Sequence, residues 1–165
     1  MCKWMKIVSI VIALLLVSLI ATQAVTIHNM KKDQEEQFYE HIEAAAQGFE
    51  KYLKNGHVIY YNEAVRELDS AYCIARLLND SEDYINLQSE LYRILFLYGY
   101  SPDLDYLHPE YLDLYLEDIV VALNKFTADR KLKTLCTDLY NVNFEINQKR
   151  AYEAERAGLS FNPIC

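Results

Sequence analysis

The sequence predicts an all-α protein, with an N-terminal transmembrane or signal helix followed by an up-down bundle of four to five helices. Three observations predict it. The chain of 165 residues holds only 4 Gly and 3 Pro, too few for the many turns that an all-β fold needs. No Lys, Arg, Asp or Glu occurs from Ile7 to Met30. Beyond that stretch, apolar residues recur at the 3.6-residue period in five successive segments.

The first element is the apolar run. Residues 7–20 are almost entirely aliphatic, and extension through Ile27 gives a helix of about 31 Å, the thickness of a bilayer's hydrocarbon core. A buried core helix would keep one polar face, and this segment has none. Two outcomes follow. Lys3 and Lys6, the apolar run and the small residues around Ala24 make a signal peptide cleaved near Ala24. Alternatively, residues 7–27 stay in the lipid as a signal-anchor, with Lys31 and Lys32 at the far interface. The charge count across the segment is nearly balanced, so its order decides the orientation. A basic start, an apolar middle and a polar end place the N-terminus in the cytoplasm and the rest outside it. The expected organisation is a signal-anchor or signal peptide over 1–30, an acidic Tyr-rich bundle over 31–158 and a tail over 159–165.

The bundle reads as five helices. The first covers 31–54, with Phe38, Ile42, Ala45, Phe49 and Tyr52 on one face, and closes at Asn55-Gly56. With neither Pro nor Gly from Gln23 to Lys32, it can continue directly from the apolar run. The second covers 59–79 along the stripe Tyr61, Ala64, Val65, Leu68, Ala71, Tyr72, Ala75 and Leu78. Asp80 or Ser81 then caps a third helix over 82–98, carrying Tyr84, Leu87, Leu91, Ile94, Leu95 and Tyr98. Pro109 suits the first turn of a fourth helix over 109–127, which buries Leu112, Tyr115, Leu116, Ile119, Leu123 and Phe126. Asp129 is expected to cap a fifth helix over 130–157, stopped by Gly158. Short connections favour antiparallel neighbours.

Composition excludes several functions. All 24 acids lie within residues 31–165 against 14 Lys and Arg, formally −10, a field that repels nucleic acid and anionic lipid headgroups. Cys2, Cys73, Cys136 and Cys165 show no paired spacing, so neither a zinc site nor a disulfide framework is expected, and Cys136 reads as a small core residue. Asp103 and Asp105 lack the Gly and Glu of a calcium loop. No glycine-rich phosphate cradle and no nucleophile motif occurs, so neither enzyme nor cofactor is expected.

The most unusual stretch is 94–124, with six acids, five tyrosines and no Lys or Arg. Tyr100, Asp103, Asp105, Tyr106, Tyr111 and Asp113 form its candidate binding surface, because aromatic rings beside carboxylates suit a cationic or basic partner. The competing reading makes Tyr98 and Tyr115 core residues and the acids solvating charges at a helix N-terminus. The expected function is a membrane-tethered extracytoplasmic module that binds or scaffolds a basic envelope or surface protein without catalysis. Its lipid contact is residues 7–27, and self-association is allowed. The alternative is a bundle that binds a small molecule or cationic peptide in a pocket between the third and fourth helices, secreted if the signal is cleaved.

Overall fold

The computed structural model describes the backbone of residues 3–78, 81–100, 109–156 and 158, and their side chains except those of residues 3, 5–7, 99–100 and 109–114. The chain is all-α. Helices α1 (Lys3–Asn55), α2 (Val58–Leu77), α3 (Glu82–Leu95), α4 (Pro109–Asp129) and α5 (Leu132–Arg156) follow in order, with a π turn, Phe96–Tyr100, extending α3. The described residues include no strand. The chain divides into two compact units, Met1–Glu36 and Gln37–Cys165.

The first unit is the N-terminal part of α1. Its described apolar side chains are all exposed, from Trp4 at 75% to Leu14 at 64% and Ile20 at 64%. Among the described residues one helix is long and apolar enough to cross a membrane, and it is this one. Its most apolar window has a mean hydropathy of 2.5 and no buried residue, a test that a signal sequence also passes. Two of its hydroxyls are satisfied locally. Thr22 Oγ1 donates to the Ser18 carbonyl at 2.9 Å and Thr26 Oγ1 to the Thr22 carbonyl at 3.0 Å, so neither brings an unpaired donor.

The second unit is a helical bundle around one core. Phe38, Ile42, Ala45, Ala46 and Phe49, spaced three and four apart along α1, are fully buried. The helix closes where Gly56 takes φ +68° and its N–H donates to the Tyr52 carbonyl at 2.7 Å. Helix α2 returns antiparallel, since Phe49 meets the Tyr61 ring while His41, earlier on α1, meets Glu67 further along α2. The two approach closely. A Cβ on Gly48 would lie 2.8 Å from the Ala64 Cβ and 3.2 Å from the Tyr60 carbonyl oxygen, so the crossing admits no side chain there.

Ser81 caps α3, accepting from the Tyr84 N–H at 3.4 Å, and Glu82 and Asp83 in the first turn complement the helix dipole. Helix α3 packs on both α2 and α5 and buries Tyr84, Leu87, Leu91, Ile94 and Leu95. It runs antiparallel to α2, with Gln88 Nε2 donating to the Ala75 carbonyl at 3.0 Å and Tyr61 donating to the Tyr98 carbonyl at 2.6 Å. Helix α4 contributes Tyr115, Leu116, Ile119, Leu123 and Phe126, and Phe126 reaches the Phe38 ring at 5.9 Å. Helix α5 packs on α4 and α3 through Leu135, Leu139, Val142 and Ile146.

Two expected boundaries are corrected. The third helix is α-helical only to Leu95 and then widens into the π turn. The fifth begins at Leu132, not at residue 130, and Asp129 does not cap it. Asp129 ends α4, and its Oδ1 accepts from the Lys131 N–H at 3.0 Å across Arg130, which takes φ +51°. The Lys131 carbonyl then accepts the first bonds of α5, from Thr134 and Leu135. Arg130 is held in that conformation with its guanidinium over the Tyr39 ring at 4.7 Å.

Candidate functional site

Much of the expected binding surface falls outside the described residues. Asp103, Asp105 and Tyr106 lie outside them altogether. Tyr100 ends the π turn, and Tyr111 and Asp113 sit on the first turns of α4, but their side chains lie outside the described set. The neighbours that are described take core positions, with Tyr98 at 8% and Tyr115 at 9% exposure.

The described half of the acidic stretch leads into a groove between α4 and α5. The helices run antiparallel here, because Lys125 Nζ donates to Asp138 Oδ2 at 2.7 Å while Tyr115, earlier on α4, faces Tyr152, later on α5. One part of the groove, of about 320 Å³, has Ala122 and Val142 at its base and Val121, Asp118 and Glu145 along its edges. Val121 is 64% exposed. A second part, of about 400 Å³, shares Glu145 and continues past Gln148 to Tyr115 and Tyr152. The charges do not cancel. Lys125 is matched by Asp138 and Lys149 by Glu153 at 3.6 Å. Asp118 and Glu145 enter no ion pair among the described residues, and the charged lining as a whole (Asp118, Asp138 and Glu145 against Lys125 and Lys149) is formally −1 beside an apolar base.

A second groove, of about 410 Å³, lies between α3 and α5 and is lined by Asn86, Ser89, Glu90, Arg93, Cys136 and Tyr140. Its wall holds the one buried acid among the described residues. Glu90 is 6% exposed and Asn143 1%. Asn143 Nδ2 donates to Glu90 Oε2 at 2.6 Å and to the Glu90 carbonyl at 3.3 Å, and Arg93 Nη1 donates to Glu90 Oε1 at 3.0 Å. A buried carboxylate would be destabilising without such partners. Burial, then the Glu90 and Asp83 carboxylates, push the Cys136 thiol above its usual range, which keeps it protonated and a poor nucleophile. Asp83 beside Cys136 and Glu90 beside Asn143 also show that α3 and α5 run parallel.

Neither Glu90 nor Asn143 was expected in the core. The available signal was positional. Glu90 sits between Leu87, Leu91 and Ile94, and Asn143 between Leu139, Val142 and Ile146, so each is a polar residue on an apolar stripe. Among the described residues no three of His, Cys, Asp and Glu are placed to share a metal ion. His41 Nδ1 lies 2.6 Å from Glu67 Oε2, an inter-helix pair that closes on itself. Cys73 and Cys136 are free thiols, the former exposed and the latter half-buried.

Comparison with protein-family models, with curated proteins and with solved structures finds no match to this chain.

Proposed function

We propose that the chain is a membrane-tethered interaction module: residues 7–27 lie in the bilayer, and the acidic helical bundle stands outside the cytoplasm, where it binds or scaffolds a basic protein partner. The reading includes no catalytic step. One observation supports it above all. The apolar half of α1 keeps its side chains exposed, whereas the other half of the same helix supplies the core of a separate unit. Left in water, that much apolar surface would drive association, because each square ångström withheld from water is worth about 25 cal/mol. A bilayer removes the difficulty.

The test is alkaline extraction of membranes, protease accessibility of the bundle in intact cells, and N-terminal sequencing of the recovered chain. The expected result is an intact N-terminus in the membrane pellet and a bundle digestible from outside. Cleavage near Ala24 with recovery in the medium would establish the secreted form instead. An intact chain in the cytosolic supernatant would overturn both.

A second reading, a bundle that binds a small molecule or cationic peptide, is supported by the acid-edged groove, which lies between α4 and α5 and not between the third and fourth helices as expected. A cation selective for the folded form raises the melting temperature by mass action. A protein scaffold that ignores small ligands shows no such rise.

A further inference from the structure

We infer that the groove between α4 and α5 is a docking site for a basic amphipathic helix supplied by another protein. This deepens the interaction-module reading and rests on it. The groove lies between two antiparallel helices, and its described part follows α5 from Asp138 to Tyr152, about 21 Å at 1.5 Å per residue. That length takes about four turns of a guest helix. Ala122 and Val142 are small enough to leave a trough at the base, exposed Val121 offers apolar contact at its edge, and Tyr152, with Lys149 and Arg156 over its ring, closes the far end. A helix laid in such a trough presents its apolar stripe inward at i, i+3, i+4 and i+7 spacing.

Charge selects among occupants. Asp118 and Glu145 flank the apolar base without ion-pair partners among the described residues, so Lys or Arg beside the guest's apolar stripe gains both contacts. A second copy of this chain would bring acid against acid, since residues 31–165 carry 24 acids against 14 Lys and Arg. Anionic headgroups and nucleic acid are disfavoured for the same reason.

The probe is a Leu/Lys amphipathic peptide of about 16 residues, four turns or slightly more, titrated by fluorescence anisotropy into the full-length chain in neutral detergent micelles, with empty micelles as background. Three variants separate groove binding from general attraction to an acidic protein. The double variant Asp118→Lys/Glu145→Lys should weaken binding at least tenfold. The same charge change at exposed Glu63→Lys/Glu155→Lys should leave it within twofold. Val121→Glu should weaken it several-fold although the protein becomes more acidic. All these positions are exposed, so the variants should melt as the wild type does. Equal losses in the two double variants, tighter binding by Val121→Glu, or no binding above the micelle background would each overturn the groove. A photo-crosslinking residue at Val121 or at exposed Ile85 of α3, in cells, separates this inference from the reading beneath it. Cross-links to another protein from Ile85 alone would keep the interaction module and overturn the groove. Cross-links from neither position would overturn both.

Discussion

Helix α1 is two helices by composition and one by backbone. From Val8 to Asp33 every side chain is exposed and the aliphatic residues follow no period. From Phe38 to Phe49 the apolar residues keep to a single stripe, and that stripe is fully buried. Hydrogen bonding is the same in both parts, because an α-helix satisfies its own backbone in lipid as well as in water. What differs is the surroundings each surface requires. A helix apolar on all sides needs a solvent that is apolar on all sides, and a striped helix needs only a partner along the stripe.

That contrast can be broken by exchanging substitutions between the two parts. The largest effect is expected from Leu14→Arg with Val17→Arg, near the middle of the apolar run. Each arginine there disfavours insertion by about 2.5–3.5 kcal/mol, so the pair should move the chain from the alkali-resistant pellet to the soluble fraction. The counterpart Ile42→Arg, at a fully buried position, should destroy the cooperative melt of the bundle and leave the chain in the pellet. If Ile42→Arg also releases the chain from membranes, the bundle and the apolar run are not separable.

Next in size is Phe49→Ala, which removes a fully buried ring and should destabilise the bundle by about 3–5 kcal/mol in thermal or denaturant unfolding. Leu15→Ala, a comparable truncation at a 65% exposed position, should leave the bundle's melt unchanged.

Within the bundle the contrast sharpens to polar against apolar seams. Asn143→Leu leaves the Glu90 carboxylate short of a buried donor and should be destabilising by about 1–3 kcal/mol. Adding Glu90→Leu should cost less than the sum of the two single changes, because the second change removes the stranded charge. A strictly additive double variant would show that the contact does not couple the two residues.

The smallest effect concerns the α1–α2 crossing. Gly48→Ala places its Cβ against Ala64 and should be destabilising by about 1–3 kcal/mol, reduced by the roughly 0.5–1 kcal/mol that alanine gains over glycine in a helix. The combination with Ala64→Gly should recover part of the loss in the same melting experiment.

Much of this fold was legible because its signals are local or periodic. Gly56 ends α1, Ser81 caps α3 and Pro109 opens α4, each by chemistry that acts within a few residues. The core positions of α2 follow from spacing alone. The start of α5 was not legible, since the choice between residues 130 and 132 turns on a positive φ at Arg130, where a stacked tyrosine from α1 lies far away in sequence. The Gly48–Ala64 approach was likewise hidden, because a lone glycine in a helix does not announce its opposite number. Of the proposed groove, Asp118 belongs to the acidic stretch that composition singles out, whereas Glu145 joins it only through the antiparallel return of α5, which no local signal announces.

A seam made only of leucines tolerates sliding, since one methyl group is nearly as good a neighbour as another. The Glu90 clasp does not. Moving α5 by a single turn along α3, about 5.4 Å, would break its contacts with Asn143 and leave the buried carboxylate only the Arg93 donor of its own helix. The carboxylate therefore acts as a notch that favours one alignment of the two parallel rods, in a chain with few turns to fix its geometry.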